Sequence, residues 1–107
     1  MKVLIFAYNT DPKLFSTIHS QCNLESLTKH GVTHAWKNFF ESLPYHKVFY
    51  YKKDFRRAHP EFEHTPLPSI LLKEEDRTKI LLDASELNIV SDIDELIGLL
   101  GKKLSGF

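Results

Sequence analysis

The chain has 107 residues, the size of one domain, and its 14 Lys and Arg residues balance 14 Asp and Glu residues. This zero net charge argues against a general nucleic-acid or membrane-surface binder. Hydrophobic residues make up 42% of the chain, enough for one core without a metal or cofactor. The single cysteine, Cys22, cannot form an internal disulfide, which suits a reducing compartment. We therefore expect one domain over residues 1–107.

The N-terminal stretch MKVLIFAYN contains one lysine and a short apolar run. That run is too short for the apolar core of a signal peptide, and no segment approaches the length of a membrane span. These features predict a cytoplasmic protein without a membrane partner.

The stretch from Lys2 to Tyr8 is almost continuously apolar, which is typical of a central strand covered on both faces. Asp11 followed by Pro12 is a helix start signal, and it predicts a helix from Pro12 to about Cys22. The apolar stripe of this helix is formed by Leu14, Ile18 and Cys22.

Two further helices are predicted before the second strand. The first begins at Asn23 and stops at Gly31, and the second is capped by Thr33 and ended by Pro44. The second helix carries apolar residues at helical spacing, namely Trp36, Phe39, Phe40 and Leu43.

The next part of the chain reads as three strands. Val48–Tyr51 is predicted as the second strand, and the polar residues 56–64 are predicted to contain one helical turn around Pro60-Glu61-Phe62. Ser69–Leu72 and Lys79–Leu82 then form a β-hairpin with a charged turn over residues 73–77.

Residues 83–90 are predicted to connect this hairpin to a last helix, which Ser91 caps with Asp94 in the capping-box position. The buried face of this helix is Ile93, Leu96, Ile97, Leu100 and Leu104. A strand, helices and a second strand imply a right-handed parallel crossover. The whole order predicts an α/β fold with a mixed four-stranded sheet and helices on both faces.

This order resembles the thioredoxin fold. In that family an apolar strand runs into a C-x-x-C motif, and here Thr10-Asp11-Pro12-Lys13 occupies that place with the proline but neither cysteine. The family also has a cis-proline that opens the hairpin, and Leu67-Pro68-Ser69 is similar to that motif. The residues between Lys13 and Tyr45 then imply a helical insertion after the first strand.

The resemblance implies a groove between the Asn9–Lys13 loop and Leu67-Pro68, where family members pair with the backbone of a partner peptide. We expect the Leu67–Pro68 bond to be cis and exposed beside this loop. Without the dithiol, the leading hypothesis is a non-catalytic module that binds an unidentified protein. The groove would be lined by Tyr8, Thr10, Asp11, Leu67 and Pro68.

Cys22 supports an alternative hypothesis, a single-cysteine thiol redox protein. Its position on the stripe of the first helix predicts an inert, buried thiol. In a rival interpretation, Cys22 ends a loop and starts the helix at Asn23, which would make it a candidate catalytic residue.

Residues 47–57 support a further alternative because lysines and arginines interleave there with aromatic residues, a composition that suits phosphates and stacked bases. The candidate residues for binding nucleic acid or phosphate are Lys52, Lys53, Arg56 and Arg57. The simpler interpretation is an amphipathic strand with a basic exit, and the zero net charge favours it.

Two other interpretations are weaker. The six histidines lack the spacing of a metal site, so no metal is expected. An N-terminal strand followed by Lys29-His30-Gly31 is compatible with a nucleotide-binding α/β domain. The C-terminal hairpin and the short length count against that fold.

Overall fold

The computed structural model describes residues 2–9 and 34–105. The helices predicted between Pro12 and Gly31 lie outside this part of the chain. The elements, in chain order, are β1 (Lys2–Ala7), α1 (His34–Ser42), β2 (His46–Tyr50), α2 (Lys52–Ala58), a 3-10 turn (Pro60–Phe62), β3 (Ser69–Glu74), β4 (Arg77–Leu82), α3 (Ala84–Asn88) and α4 (Ile93–Leu104).

The four strands form one mixed sheet in the order β2-β1-β3-β4. β1 is parallel to β2 and antiparallel to β3, and β3 is antiparallel to β4. The expected four-stranded mixed sheet with a central first strand and a C-terminal hairpin is therefore confirmed. Ala7, at the end of β1, pairs with both Tyr50 and Ser69.

The basic segment that follows the second strand is a helix, which the sequence did not predict, because the chain turns into α2 directly after β2. Tyr51 is the extended N-cap residue, and the backbone N–H of Phe55 donates to its carbonyl at 2.8 Å. Asp54 lies in the first turn and Arg57 in the last, where their charges suit the helix dipole. The side chain of Phe55 is completely buried and fixes the helix against the sheet.

The predicted connection 83–90 contains helix α3. Asp83 and Glu86 form a capping box, in which each side chain accepts a hydrogen bond from the other residue's backbone N–H. This reciprocal capping, together with the buried side chain of Leu87, holds a helix of only five residues.

The last helix begins one residue later than the sequence suggested. Asp92 is the N-cap residue of α4, and its carboxylate accepts the backbone N–H of Glu95 at 2.9 Å. Ser91 instead donates its hydroxyl to the Glu95 carboxylate at 2.7 Å. The predicted buried face is confirmed, with Leu96 and Leu100 fully buried.

The hairpin turn is tighter than expected, because β3 and β4 extend to Glu74 and Arg77. Only Glu75 and Asp76 remain in the turn. Glu75 has a φ of 55°, the left-handed conformation that such short hairpin turns require.

Alternate residues of β1 contribute to two apolar clusters. The larger cluster joins Leu4, Phe6 and Tyr8 to Trp36 of α1 and Leu96 of α4. The smaller cluster contains Ile5, Ala7, Phe55, Leu67 and Leu71. Because successive strand residues point to opposite faces, the two clusters lie on opposite sides of the sheet.

The described helices are all too short, or too polar, to cross a bilayer.

Candidate functional site

The candidate site is built where the end of β1 meets the start of β3. Ala7 pairs with Ser69 in the antiparallel register, so Leu67-Pro68 comes to lie beside the chain that leaves β1. Tyr8 continues β1, and its backbone N–H donates to the carbonyl of Tyr50 at 2.9 Å. Thr10, Asp11 and the rest of the predicted loop lie outside the described residues.

The segment before β3 is fixed by hydrogen bonds from side chains to backbone. The Leu67–Pro68 peptide bond is cis. The hydroxyl of Ser69 is completely buried and donates to the Pro66 carbonyl at 2.8 Å. Arg56 of α2 reaches the Thr65 carbonyl with a long contact of 3.4 Å. These two hydrogen bonds could not be predicted from the sequence, although Ser69 belongs to the Leu67-Pro68-Ser69 motif and Arg56 is one of the candidate basic residues.

The side chains predicted to line the groove are mostly turned into the core. Tyr8 is 1% exposed and Leu67 is 6% exposed, and Pro68 is also buried. The expectation of an exposed Leu67-Pro68 segment is therefore wrong for the side chains, because both clusters gain apolar area by covering them. At this end of the β1–β3 ladder, the chain can therefore offer backbone groups to a partner. We call this end of the ladder the Leu67 edge. Within the described residues, neither backbone polar group of Leu67 makes a hydrogen bond.

The basic residues of residues 47–57 are brought together on α2. They occupy helix positions i, i+1, i+4 and i+5, so they span an arc of about 140° of the helix surface. We call this surface the basic face of α2, and it consists of Lys52, Lys53, Arg56 and Arg57.

The basic face carries charge that acidic side chains leave largely unneutralised. Lys52, Arg56 and Arg57 form no ion pair with any acidic side chain of the described residues. Arg56 Nε is also buried without a hydrogen-bond partner in this part of the chain. An anion with several oxygens matches such a cluster chemically.

The aromatic residues of β2 point to opposite sides of the sheet. Phe49 stacks on Phe6 at 4.7 Å between ring centroids, on the side of the larger cluster. Tyr50 lies on the side of α2 and packs against Phe55 at 6.2 Å between ring centroids. The alternation of β2 therefore leaves only one of these two rings on the side of the basic face.

The described residues show no cluster of metal-ligating side chains. Among residues 2–9 and 34–105, no three His, Cys, Asp or Glu side chains form a group that could hold a metal ion. His59 Nδ1 lies 3.8 Å from a Glu61 carboxylate oxygen, and this pair is the closest contact of a histidine with an acid that is seen in the described residues. Cys22 lies outside the described residues.

Among the titratable groups of the described residues, the one with a clearly shifted pKa is a helix-capping aspartate. The pKa of Asp83 is held below its ordinary value, first by the hydrogen bond from the backbone N–H of Glu86 and then by the hydroxyl of Ser85. The group is exposed, and these bonds serve to start α3. The perturbation is therefore structural.

Comparison with known proteins gives no relative for this chain. No protein-family model, no curated protein and no solved structure matches it. Any functional assignment must come from the geometry of the chain itself.

Proposed function

We propose that this protein is a non-catalytic, thioredoxin-like module that binds an extended segment of another protein. The site is the edge formed by Leu67-Pro68 and the Asn9–Lys13 loop, with Tyr8, Thr10 and Asp11 as the other contributors. The partner supplies a strand that pairs with the backbone of Leu67, which is recognition by β-augmentation.

One observation carries this proposal. The Ala7–Ser69 pair ends the β1–β3 ladder, and the backbone of Leu67 beyond it makes no hydrogen bond within the described residues. An unpaired backbone group next to a ladder offers a register in which one more strand can pair. The buried side chains of Leu67 and Ser69 keep that backbone in place.

The thioredoxin-like character is supported by topology. The sheet order β2-β1-β3-β4, with β1 parallel to β2, fits that fold, and helices pack against both faces through the two clusters. The long chain between β1 and α1 then corresponds to a helical insertion. Thr10 and Lys13 stand where the family has two cysteines, so partner binding proceeds without thiol exchange.

A peptide selection tests this proposal. Random peptides are selected on the immobilised full chain, and each backbone amide of a selected peptide is then N-methylated in turn. In a paired strand, alternate N–H groups point to the partner strand. We expect N-methylation to weaken binding at least about tenfold, roughly one lost hydrogen bond, at alternate positions and to have little effect between them.

A matched pair of variants locates the peptide on the protein. Ser69→Ala removes the bond that fixes the Pro66–Ser69 turn, and we expect it to weaken peptide binding. Ser42→Ala removes a similar hydroxyl bond to the Phe39 carbonyl at 2.7 Å, far from the edge, and binding should not change. Uniform tolerance to N-methylation, or equal effects of the two variants, would refute pairing at Leu67.

The basic face of α2 supports a second candidate function, the binding of a phosphate-rich anion such as a nucleic acid. The observation in its favour is the absence of acidic partners for Lys52, Arg56 and Arg57 within the described part of the chain. Binding of a labelled oligonucleotide should fall steeply with salt, and Arg57→Gln should reduce the slope relative to Lys73→Gln on β3. Affinity that is independent of salt would exclude this function.

The thiol alternative stays a prediction with a simple test. Under native conditions we expect Cys22 to react with a thiol reagent much more slowly than a free model thiol, since a buried thiol is inert. Labelling as fast as the model thiol would favour the redox function.

A further inference from the structure

An apolar groove lies on the far side of α4, away from the candidate site. Its volume is about 350 Å³, and its apolar floor is made by Val90 and Leu99. Ile89 borders the groove and is 79% exposed, the most exposed of the large apolar side chains seen in the described residues. An exposed isoleucine beside a groove with an apolar floor gives a partner apolar surface to cover.

The part of α4 that borders the groove forms one stripe. Gly98, Leu99 and Lys102 follow Glu95 at i+3, i+4 and i+7, so the four residues lie on one side of the helix. We call these four residues the outer stripe of α4. Its two ends carry opposite charges, and its centre is small and apolar.

Packing among the described residues does not require glycine at position 98. A Cβ atom there would meet none of their atoms within 4 Å. Glycine in the middle of a helix destabilises the helix relative to alanine. A glycine at this position does allow another backbone to approach the helix closely.

The charges at the ends of the outer stripe are complementary to each other. Lys102 is exposed and forms no ion pair in the described part of the chain. Glu95 is also exposed, and Ser91 is its hydrogen-bond donor rather than a cation. The midpoint between these two residues falls between Gly98 and Leu99. If a second copy of the helix runs antiparallel across this midpoint, the carboxylate of each Glu95 lies opposite the ammonium group of Lys102 in the other copy.

We propose that the outer stripe is the interface of a symmetric homodimer. Two copies of α4 cross antiparallel about a two-fold axis between Gly98 and Leu99. Glu95 then faces Lys102 of the partner subunit, and the same contact repeats across the axis, as an isologous interface requires. Ile89 covers the groove of the other copy at each end.

The small size of the surface makes this a weak dimer. Stable interfaces bury about 1,200–2,000 Å² in total, more than one helix stripe and two isoleucines provide. We therefore expect a reversible dimer that forms at high protein concentration, and the peptide-binding edge at Leu67 stays free in it.

The substitution Gly98→Ala distinguishes an effect on dimerisation from an effect on folding stability. The added methyl group has open space in the single chain, so the melting temperature of the dilute protein should rise or stay the same. In the dimer the same methyl group holds the two helices apart. Sedimentation equilibrium of the full chain over a concentration series should show a dissociation constant that is about tenfold weaker than for the wild type.

A pair of charge reversals tests the predicted contact directly. Lys102→Glu alone and Glu95→Lys alone each place like charges opposite one another twice, so each variant should be monomeric. An equimolar mixture of the two restores both opposite-charge contacts, and the mixture should dimerise. Circular dichroism shows whether each variant is folded, and Arg57→Glu on the opposite face of the sheet is the matched control.

Three outcomes would overturn this proposal. The first is a wild-type chain that stays monomeric at every concentration, which would leave the groove to a different protein. The second is a dimer that Gly98→Ala and Lys102→Glu do not weaken, which would place the contact elsewhere. The third is a mixture of the charge variants that dimerises no better than each variant alone.

Discussion

The two faces of the sheet are stabilised in different ways. The larger cluster combines side chains from α1, α3 and α4 with those of three strands. Aromatic rings pack against one another within it, and Phe6 meets Trp36 edge to face at 6.0 Å between ring centroids. The smaller cluster has one fully buried residue from a helix, Phe55, over three strand residues and Leu67. On the side of the larger cluster, several elements contribute to stability, so the loss of one side chain is partly compensated by the others. On the side of the smaller cluster, the packing of α2 depends on Phe55.

This difference matches the location of the functional candidates. The basic face of α2 and the Leu67 edge both belong to the side of the smaller cluster. Elements with few buried contacts open at lower free energy than the core. The side with the thinner packing is therefore also the side that can adjust to a partner.

Phe55→Ala should have the largest effect. It removes the anchor of α2 and leaves a cavity under the helix, so the free energy of unfolding should fall by about 3–5 kcal/mol. Urea denaturation measures the loss, and hydrogen exchange should show α2 losing protection first. Phe62→Ala, at a half-buried position of the same cluster, is the control and should cost clearly less. Equal losses for both would mean that the smaller cluster has no single anchor.

Leu96→Ala should cost about 2–5 kcal/mol, because this residue is fully buried in the larger cluster. Here we expect the whole domain to unfold at a lower urea concentration, and we expect no single helix to lose its hydrogen-exchange protection first. Ile97→Ala, one position along and half-buried, should cost less. A loss under about 0.5 kcal/mol for Leu96→Ala is the range of surface positions and would contradict its place in the core.

Asp83→Ala should cost about 0.5–2 kcal/mol, the usual effect of losing a helix N-cap. The loss should affect packing on the side of the larger cluster, because Leu87 of α3 is buried in that cluster. Chemical denaturation at neutral pH measures the loss. Ser85→Ala, which removes only a bond to the same carboxylate, should cost less.

The same cap makes stability depend on pH. The pKa of Asp83 is lowered in the folded chain, chiefly by the Glu86 backbone N–H, so the unfolded chain binds a proton first as the pH falls. The stabilisation is complete above the ordinary pKa of 3.8 and is lost as the pH falls through the lower folded value. The difference in the free energy of unfolding between wild type and Asp83→Ala should shrink over that pH interval. A difference that stays constant would contradict a capping role for the ionised Asp83 carboxylate.

Ser69→Ala should have the smallest effect on stability, about 0.5–1.5 kcal/mol for one hydrogen bond. Its buried hydroxyl ties Pro66 to the start of β3 on the side of the smaller cluster. Thermal denaturation beside Ser42→Ala, whose hydroxyl is exposed, measures this contribution. If Ser42→Ala costs as much, the Ser69 bond has no special role in shaping the edge.

The sheet could be predicted from the sequence because its strands are encoded by local patterns. The apolar run that became β1 and the hairpin Ser69–Leu82 both follow from hydrophobicity and a charged turn. The buried face of α4 follows in the same way from the spacing of Leu96, Leu100 and Leu104. These patterns predict the folded structure well because each of them reflects apolar side chains that become buried on folding.

Helix α2 escaped prediction because its sequence has a single apolar residue, Phe55, and so no period. The short helix α3 was missed although Asp83 and Glu86 form a readable capping box. The burial of Tyr8 and Leu67 was also unpredictable, since it depends on two clusters that meet only in the folded chain. Local patterns specify elements, and the environment of a site depends on how distant elements pack.

The position of β1 in the sheet has a consequence for synthesis on the ribosome. Val3 pairs with His46 on one side and with Lys73 on the other, so β1 is synthesised before both of its neighbours. Until β3 has left the exit tunnel, one side of this apolar strand has no partner strand. Such non-local pairing slows folding and keeps strand edges open to aggregation. The nascent chain therefore depends on early protection of that segment, whether by a chaperone or by another part of the chain.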